Sequence, residues 1–206
     1  MQSQQTVRQK LERALLEDTK PSAYFRALQE TGNLKPWFSE IAALIGVEQD
    51  PVFHPEGDVW EHTLLVLDAA AETRQQAKKP LPFMLSALCH DLGKPTATQY
   101  MDGRIRALGH EDEGLAPTRV FLMRLGYDQE VHDYVLSMVQ LHMRPNLLVA
   151  QKSTDKAMFR LFRRSLCPED LCLLARADHL SRPNAYPYEA TERTLQEKLR
   201  LFYEKN

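Results

Sequence analysis

A strongly apolar stretch that ends in two adjacent polar side chains most constrains how this chain folds. Residues 81–89 are almost entirely apolar, which predicts a helix covered by other helices on every side. His90 and Asp91 follow at once, and Gly93 then ends the helix. An imidazole and a carboxylate are thereby held side by side at the end of a buried helix, which is a favourable place for a metal ion.

Apolar residues recur at helical spacing through most of the chain. Asp58, with Glu61 three residues later, resembles a capping box, and we interpret His54 in the preceding loop as fixing that loop. Asp128 is a second predicted cap, and the helix after it places His142 at the end of an apolar stripe. We predict helices at residues 7–15, 21–28, 36–45, 59–77, 81–89, 111–125, 129–142, from 153 or 154 onward, 168–178 and 188–203.

The stretch at residues 96–108 has a different pattern. Asp102 and Gly103 stand between two short arms of alternating polarity, which predicts a hairpin with a two-residue turn. The predicted fold class is therefore all-α, a helical bundle with one small β-hairpin near residues 98–107.

Composition limits the kind of protein. The chain has 206 residues, 43% of them hydrophobic, which is enough for one domain, or one domain with a small helical appendage. A formal charge of −2 gives no global basic field for nucleic acid. Three cysteines without a CxxC pair suit a reducing compartment. The sequence has no membrane-length apolar run and no signal-like N-terminus, so we expect a cytoplasmic protein without a membrane partner. The sequence leaves the oligomeric state open.

Four polar side chains lie on, or at the end of, apolar helix faces: His62, His90, Asp91 and Asp178. An unpaired ionisable group in such a place is costly, and a shared cation would satisfy all four. Two imidazoles and two carboxylates suit Mn, Ni, Co, Fe or Mg better than a closed thiolate zinc site. The sequence does not choose among these metals, and a structural cluster of ion pairs is the alternative interpretation.

The same residues carry a family resemblance. His62, the His90-Asp91 doublet and the distal Asp178 resemble the H…HD…D pattern of HD-domain metal-dependent phosphohydrolases. The strings HPEGDVWEHTLLVL, LCHDLGKP, GRIRALGHEDEG and LHMRP resemble, more narrowly, the HD domain of bacterial CCA-adding tRNA nucleotidyltransferases. The resemblance covers roughly residues 22 to 185. It implies an α-helical HD fold and a phosphatase or phosphodiesterase that acts on nucleotides or RNA ends through metal-activated water, with metal ligands His62, His90, Asp91 and Asp178.

The resemblance also implies a domain organisation. Residues 1–50 resemble the helical neck of those enzymes, residues 51–185 form the HD domain, and residues 186–206 form a C-terminal helix that packs on it. The Gly-Gly strand turn and the paired-aspartate motif of the nucleotidyltransferase head have no match in this sequence. We therefore expect that the chain does not add CCA by itself.

Further residues fall where the family places substrate or a second metal. His110 and His142 would either bind a second metal or hydrogen-bond to substrate or water, and both alternatives stay open. Lys94 would hold a phosphate or protonate the leaving oxygen, unless it is a solvated loop lysine. Arg144 and Arg182 are candidate substrate-binding residues, with surface charges as the alternative. The predicted catalytic residues are Asp91, Lys94, His110 and His142.

The predicted partners are a nucleotide or a phosphorylated RNA end, with tRNA as a further candidate. Two other functions stay open at this level. The chain could be a non-catalytic RNA-binding or assembly module derived from the body of a tRNA nucleotidyltransferase. Within the enzyme class, it could instead hydrolyse a signalling nucleotide.

Overall fold

Helices make up nearly all of the regular structure in residues 3–205, which the computed structural model describes. The helices are α1 (Gln4–Glu17), α2 (Ser22–Glu30), α3 (Ser39–Ala42), α4 (Val59–Thr73), α5 (Pro80–Cys89), α6 (Lys94–Ala97), α7 (His110–Glu113), α8 (Leu115–Arg124), α9 (Gln129–Leu141), α10 (Arg144–Ala150), α11 (Asp155–Arg164), α12 (Pro168–Leu180) and α13 (Glu189–Glu204). A 3-10 turn at Arg74–Gln76 follows α4. None of the helices within this described range combines the length and apolar character that crossing a membrane requires.

Helix α5 lies at the centre of the bundle. Its residues from Phe83 to Cys89 are all buried, and α1, α4, α9 and α12 pack around it. Pro80 stands in the first turn, where a backbone N–H would have no partner within the helix. Burial of a large apolar side chain contributes about 1.5–3 kcal/mol, so α5 is firmly held. His90 follows its last residue and is fixed by the best-packed part of the protein.

Two strands form an antiparallel hairpin, β1 (Thr98–Met101) and β2 (Arg104–Ala107). Asp102 and Gly103 have φ angles of 51° and 74°. Two successive residues with positive φ give the turn whose twist matches that of the paired strands. The predicted all-α bundle with one small hairpin is confirmed.

Three predicted helix caps are confirmed. The Asp58 carboxylate accepts the N–H of Glu61 at 2.9 Å, and the Asp128 carboxylate accepts the N–H of Val131 at 3.0 Å. Thr154, rather than the residue before it, caps α11. Each cap satisfies a backbone donor that the first helical turn leaves free.

Other helix boundaries differ from the prediction. The third helix spans only Ser39–Ala42, and α4 ends at Thr73 instead of continuing to residue 77. The single helix expected over residues 111–125 is interrupted at Gly114, where the backbone packs against another loop. Helix α10 was not predicted, because its seven residues are too few to give a periodic signal.

One hydrophobic core joins the ends of the chain to its middle. Leu11 and Leu15 of α1 are fully buried, and α1 packs on α5. At the other end, the rings of Phe202 in α13 and Phe162 in α11 lie 5.5 Å apart. The three predicted segments therefore share a core, and the division into them stays a prediction.

Asp170 in the first turn of α12 ties three elements together. Its buried carboxylate accepts the N–H of Lys78 at 2.8 Å, the N–H of Lys79 at 3.2 Å and the hydroxyl of Tyr134. We expect Asp170→Ala to lower the free energy of unfolding by about 3 kcal/mol, since it leaves buried donors without an acceptor. Urea unfolding followed by circular dichroism measures this loss.

The matched control is Tyr134→Phe, which removes one of the three donors and keeps the carboxylate. Its expected cost is about 1 kcal/mol, the net value of a single hydrogen bond. Equal losses in the two variants would show that Asp170 does not hold the three elements together.

Candidate metal centre

The candidate residues come from the ends of packed helices and meet at one cavity of about 510 Å³, called the site cavity below. Asp91, Lys94, His110, His142 and Asp178 line it, and His62 and His90 touch their carboxylates. His62 is in the first turn of α4, His90 and Asp91 follow α5, Lys94 begins α6, His110 begins α7, His142 follows α9, and Asp178 is in the last turn of α12.

Four imidazole rings are oriented in the same way. The Nδ1 atoms of His90, His110 and His142 lie 2.7–2.8 Å from the carbonyl oxygen three residues earlier in each case. The Nδ1 of His62 lies 2.8 Å from the carboxylate of Glu56. Because each Nδ1 donates its proton to one of these acceptors, the neutral form of each ring carries a lone pair on Nε2.

All four Nε2 atoms point to carboxylates at the cavity. The Nε2 of His62 is 3.1 Å from Asp178 Oδ1 and 3.7 Å from Asp91 Oδ2. The Nε2 of His90 is 3.1 Å from Asp91 Oδ2. On the other oxygen of Asp91, Oδ1, the Nε2 of His110 lies at 3.3 Å. In the neutral form of the rings, lone pairs face negative oxygens, an arrangement that becomes favourable when a proton on Nε2 or a metal cation lies between them.

The remaining imidazole repeats this arrangement. The Nε2 of His142 lies 3.3 Å from the Nε2 of His110 and 3.9 Å from Asp91 Oδ1. Burial, together with repulsion from His90 and His110, lowers the pKa of His142 to about 3. His142 is therefore neutral at pH 7, and its Nε2 carries a lone pair that can bind a cation.

The field at the centre attracts positive charge. Burial alone would raise the pKa of Asp91, but the charges of His90 and Lys94 outweigh it and hold that pKa well below its usual range. Burial alone would lower the pKa of His90, yet the charge of Asp91 raises it. Burial also opposes ionisation of Asp178, and the Arg182 guanidinium overcomes it and lowers that pKa. Both carboxylates are ionised at neutral pH.

Two buried atoms of the His90-Asp91 doublet lack a hydrogen-bond partner, namely His90 Nε2 and Asp91 Oδ2. The Nζ of Lys94 is 2.8 Å from that oxygen but without hydrogen-bond geometry. Such an orphaned buried group costs about 1–3 kcal/mol. A bound cation would satisfy both atoms.

Three overlapping sets of ligand atoms are close enough together to hold a cation, one of which is formed by His54, Glu56 and His62. One atom each from His62, His90 and Asp91 lie within 4.8 Å of one another, and the same holds for Asp91, His110 and His142. Imidazole nitrogen with carboxylate oxygen fits the divalent transition metals, and the carboxylates also suit Mg. The residues present therefore fit the predicted cofactor class.

The predicted substrate-binding residues differ in their position relative to the site cavity. Lys94 is buried. Its Nζ lies 2.8 Å from Asp91 Oδ2 and donates to the Oε1 of Gln49 at 2.6 Å. Arg182 lines the site cavity and donates from Nη2 to both oxygens of Asp178 at 3.0 and 3.2 Å. Arg144 is exposed at the start of α10 and is not part of the cavity wall. Its role in substrate binding stays a prediction.

Three site residues were missed or underrated at the level of sequence. The side chain of Glu56 is only 2% exposed, and its carboxylate bridges the Nδ1 atoms of His54 and His62, each at 2.8 Å. Its signal was present, because it lies in the HPEGD string six residues before His62. His54, interpreted only as fixing the loop, lines the cavity with its ring 4.8 Å from that of His62. Gln49 had no signal, since its bond to Lys94 depends on tertiary contact.

Several curated proteins are similar in sequence to this chain, although no family model matches it. The chain is 34% identical over 198 residues to a multifunctional CCA protein of Laribacter hongkongensis, covering 90% of this chain and 46% of the relative. The identity is 33% over 174 residues for one of Alkalilimnicola ehrlichii, with 82% and 40% covered. It is 37% over 122 residues for one of Actinobacillus pleuropneumoniae, with 59% and 29% covered. The chain is related in sequence to multifunctional CCA proteins. It spans less than half the length of these relatives.

Gly93 holds the two halves of the centre together by close backbone approach. A Cβ at this position would lie 2.0 Å from the carbonyl oxygen of His110 and 2.5 Å from the nitrogen of Gly114. We expect Gly93→Ala to lower the free energy of unfolding by about 2–3 kcal/mol, because the α7 backbone must move away. Thermal and urea unfolding measure the change.

Gly32→Ala is the matched control. Gly32 has a φ angle of +68°, and a Cβ added there would have no atom within 4 Å, so only backbone strain of about 1–2 kcal/mol is expected. A Gly93→Ala variant as stable as the wild type would show that the α7 backbone has room to spare.

Proposed function

We propose that this chain is a metal-dependent phosphohydrolase, a phosphomonoesterase or phosphodiesterase that acts on nucleotides or RNA ends. The observation that carries the proposal is the convergence of four imidazole Nε2 atoms on two ionised carboxylates at one cavity. The sequence relation to multifunctional CCA proteins supports an RNA-related substrate, with tRNA among the candidates. The resemblance to HD domains supports the hydrolytic reaction.

The proposed metal ligands are His62, His90, Asp91 and Asp178. The carboxylate of Asp91 faces two sets of imidazoles with its two oxygens, which supports a second cation near His110 and His142. Mn, Ni, Co, Fe and Mg all remain candidates. Bound there, a divalent cation lowers the pKa of water and neutralises charge on a phosphoryl oxygen.

The chain's own residues have separate tasks in the proposed reaction. A water oxygen forms a new bond to phosphorus as the bond from phosphorus to the leaving oxygen breaks. Lys94 and Arg182, both in the cavity wall, hold phosphate oxygens. The leaving oxygen takes up a proton from Lys94 or His110, and His142, which is neutral at pH 7, accepts the proton that the attacking water releases. Glu56 orients His62 by accepting its Nδ1 proton.

Removal of the shared carboxylate is the first test. Asp91→Ala and the isosteric Asp91→Asn should lose bound metal, measured by elemental analysis after reconstitution with Mn, Ni, Co, Fe or Mg. Hydrolysis should fall at least about 1,000-fold, because both cation positions use this residue. The substrate panel contains 2′,3′-cyclic nucleotides, nucleoside monophosphates, dinucleotides and tRNA ends.

Asp133→Asn, an exposed acid on α9, is the control and should keep both metal and activity. Normal hydrolysis by Asp91→Ala would overturn the proposal. A wild-type protein that binds none of these metals would favour the alternative, a non-catalytic RNA-binding or assembly module.

Glu56→Gln is the second test, aimed at ligand orientation. The variant replaces the carboxylate that accepts from His62, so metal affinity should fall about 10- to 100-fold while the fold is kept. Competition with a fluorescent chelator measures this affinity directly. Glu72→Gln, an exposed position at the far end of α4, should leave it unchanged. Equal affinities in the two variants would remove Glu56 from the proposed centre.

A further inference from the structure

The site cavity extends well beyond the imidazole cluster. Its lining includes the buried Asp91, His110 and His142, called the inner end below, and the exposed Phe53 and Leu108, called the outer end. A volume of about 510 Å³ is in the range of pockets that enclose whole organic ligands. A phosphate group at the inner end fills only a small part of it, so the outer end has room for the group that the phosphate is attached to.

An aromatic ring forms part of the outer wall. Phe53 is 52% exposed although it is a large apolar residue, and the guanidinium of Arg104 lies over its ring at 4.9 Å from the centroid. Arg104 is itself fixed, because its Nε donates to Asp50 Oδ2 at 2.8 Å. The same Asp50 accepts the N–H of Val52 through its other oxygen at 3.0 Å, which fixes the turn that carries Phe53.

Charge distinguishes the two ends of the cavity. Away from the imidazoles, the acids Asp50 and Glu48 balance the cations Arg104 and Arg106 among the residues that line the cavity, and Asp50 pairs directly with Arg104. A second phosphate would meet these acids and gain little. An uncharged planar group would instead stack on the fixed Phe53–Arg104 pair, since both an aromatic face and a guanidinium plane are stacking surfaces for nucleobases.

We propose that the Phe53–Arg104 end of the cavity is a nucleobase subsite, which takes the base of a nucleotide whose phosphate lies at the imidazole cluster. This inference rests on the proposed function and deepens it, because it assigns the residues that recognise the base of the nucleotide or RNA end. Phe53 and Arg104 act as binding residues that hold the base and thereby orient the phosphate.

The test compares ligands that differ only in the base. Calorimetric titration of the metal-reconstituted protein with non-hydrolysable phosphonate analogues of adenosine 5′-monophosphate and of ribose 5-phosphate measures binding without turnover. Wild type should bind the adenosine ligand about 5- to 150-fold more tightly, the usual range for stacking of one base. Phe53→Ala should lose this ratio, and Phe53→Tyr, which keeps the ring, should retain it.

Val52→Ala is the matched control. Val52 is 67% exposed next to Phe53 and is not part of the cavity wall, so its substitution should leave the binding ratio unchanged. A wild-type ratio near one, or a ratio that Phe53→Ala preserves, overturns the base subsite.

Measurements of hydrolysis distinguish the base subsite from the phosphohydrolase proposal on which it rests. Hydrolysis of esters with and without a base at equal kcat/KM overturns the base subsite and leaves the phosphohydrolase proposal in place. Base-dependent binding with no hydrolysis of any ester in the panel overturns the phosphohydrolase proposal and supports the subsite.

Discussion

The centre depends on how its imidazoles are anchored on their Nδ1 side. Three rings donate to a carbonyl oxygen at the end of their own chain segment, and the fourth donates to Glu56. A helix end supplies such carbonyls readily, because its last carbonyls have no partner inside the helix. The same geometry therefore satisfies the backbone and turns each Nε2 inward. Without these Nδ1 hydrogen bonds, the rings would be able to rotate and to hydrogen-bond with the carboxylates that they now face.

Packing and chemistry oppose each other at this point of the fold. Helix α5 is buried all round and carries the doublet His90-Asp91 into the interior, where unpaired charge is costly. The protein lowers that cost with Lys94 on Asp91 and Arg182 on Asp178. These contacts compensate the charges only in part, since a nitrogen and an oxygen of the doublet lack hydrogen-bond partners. Burial of the apolar core thus stabilises the bundle, whereas the incompletely compensated charges at the cavity lower the free energy of unfolding.

Local sequence signals predicted the parts of the molecule that depend on near neighbours. The caps at Asp58 and Asp128 and the turn at Asp102-Gly103 need only residues a few positions apart. Periodicity placed His142 at the end of an apolar stripe, and it is buried there. The resemblance to HD domains grouped residues far apart in sequence, and the structure brings those groups to one cavity.

Features that depend on tertiary contact gave no such signal. The break at Gly114 exists because its backbone lies against Gly93, and the bond from Lys94 to Gln49 joins residues 45 positions apart. Glu56 could be taken for one more loop acid until its distance to His62 was known. His132 and His179 are buried although nothing in their spacing required it. A sequence thus shows which residues make up a site more readily than it shows which residues hold them in position.

The hairpin has a mechanical consequence for the cavity. Its two strands leave from α6, which begins at Lys94, and return to α7, which begins at His110. The close approach of Gly93 to the His110 backbone holds the end of the hairpin next to α6 and α7. The tip at Asp102 and Gly103 is exposed, with open space beside Gly103. Arg104, the first residue after this turn, also ties the tip to the loop before α4, because its Nε donates to Asp50 Oδ2 at 2.8 Å. The hairpin is thus held at both ends, and it fixes one wall of the cavity relative to the imidazole cluster.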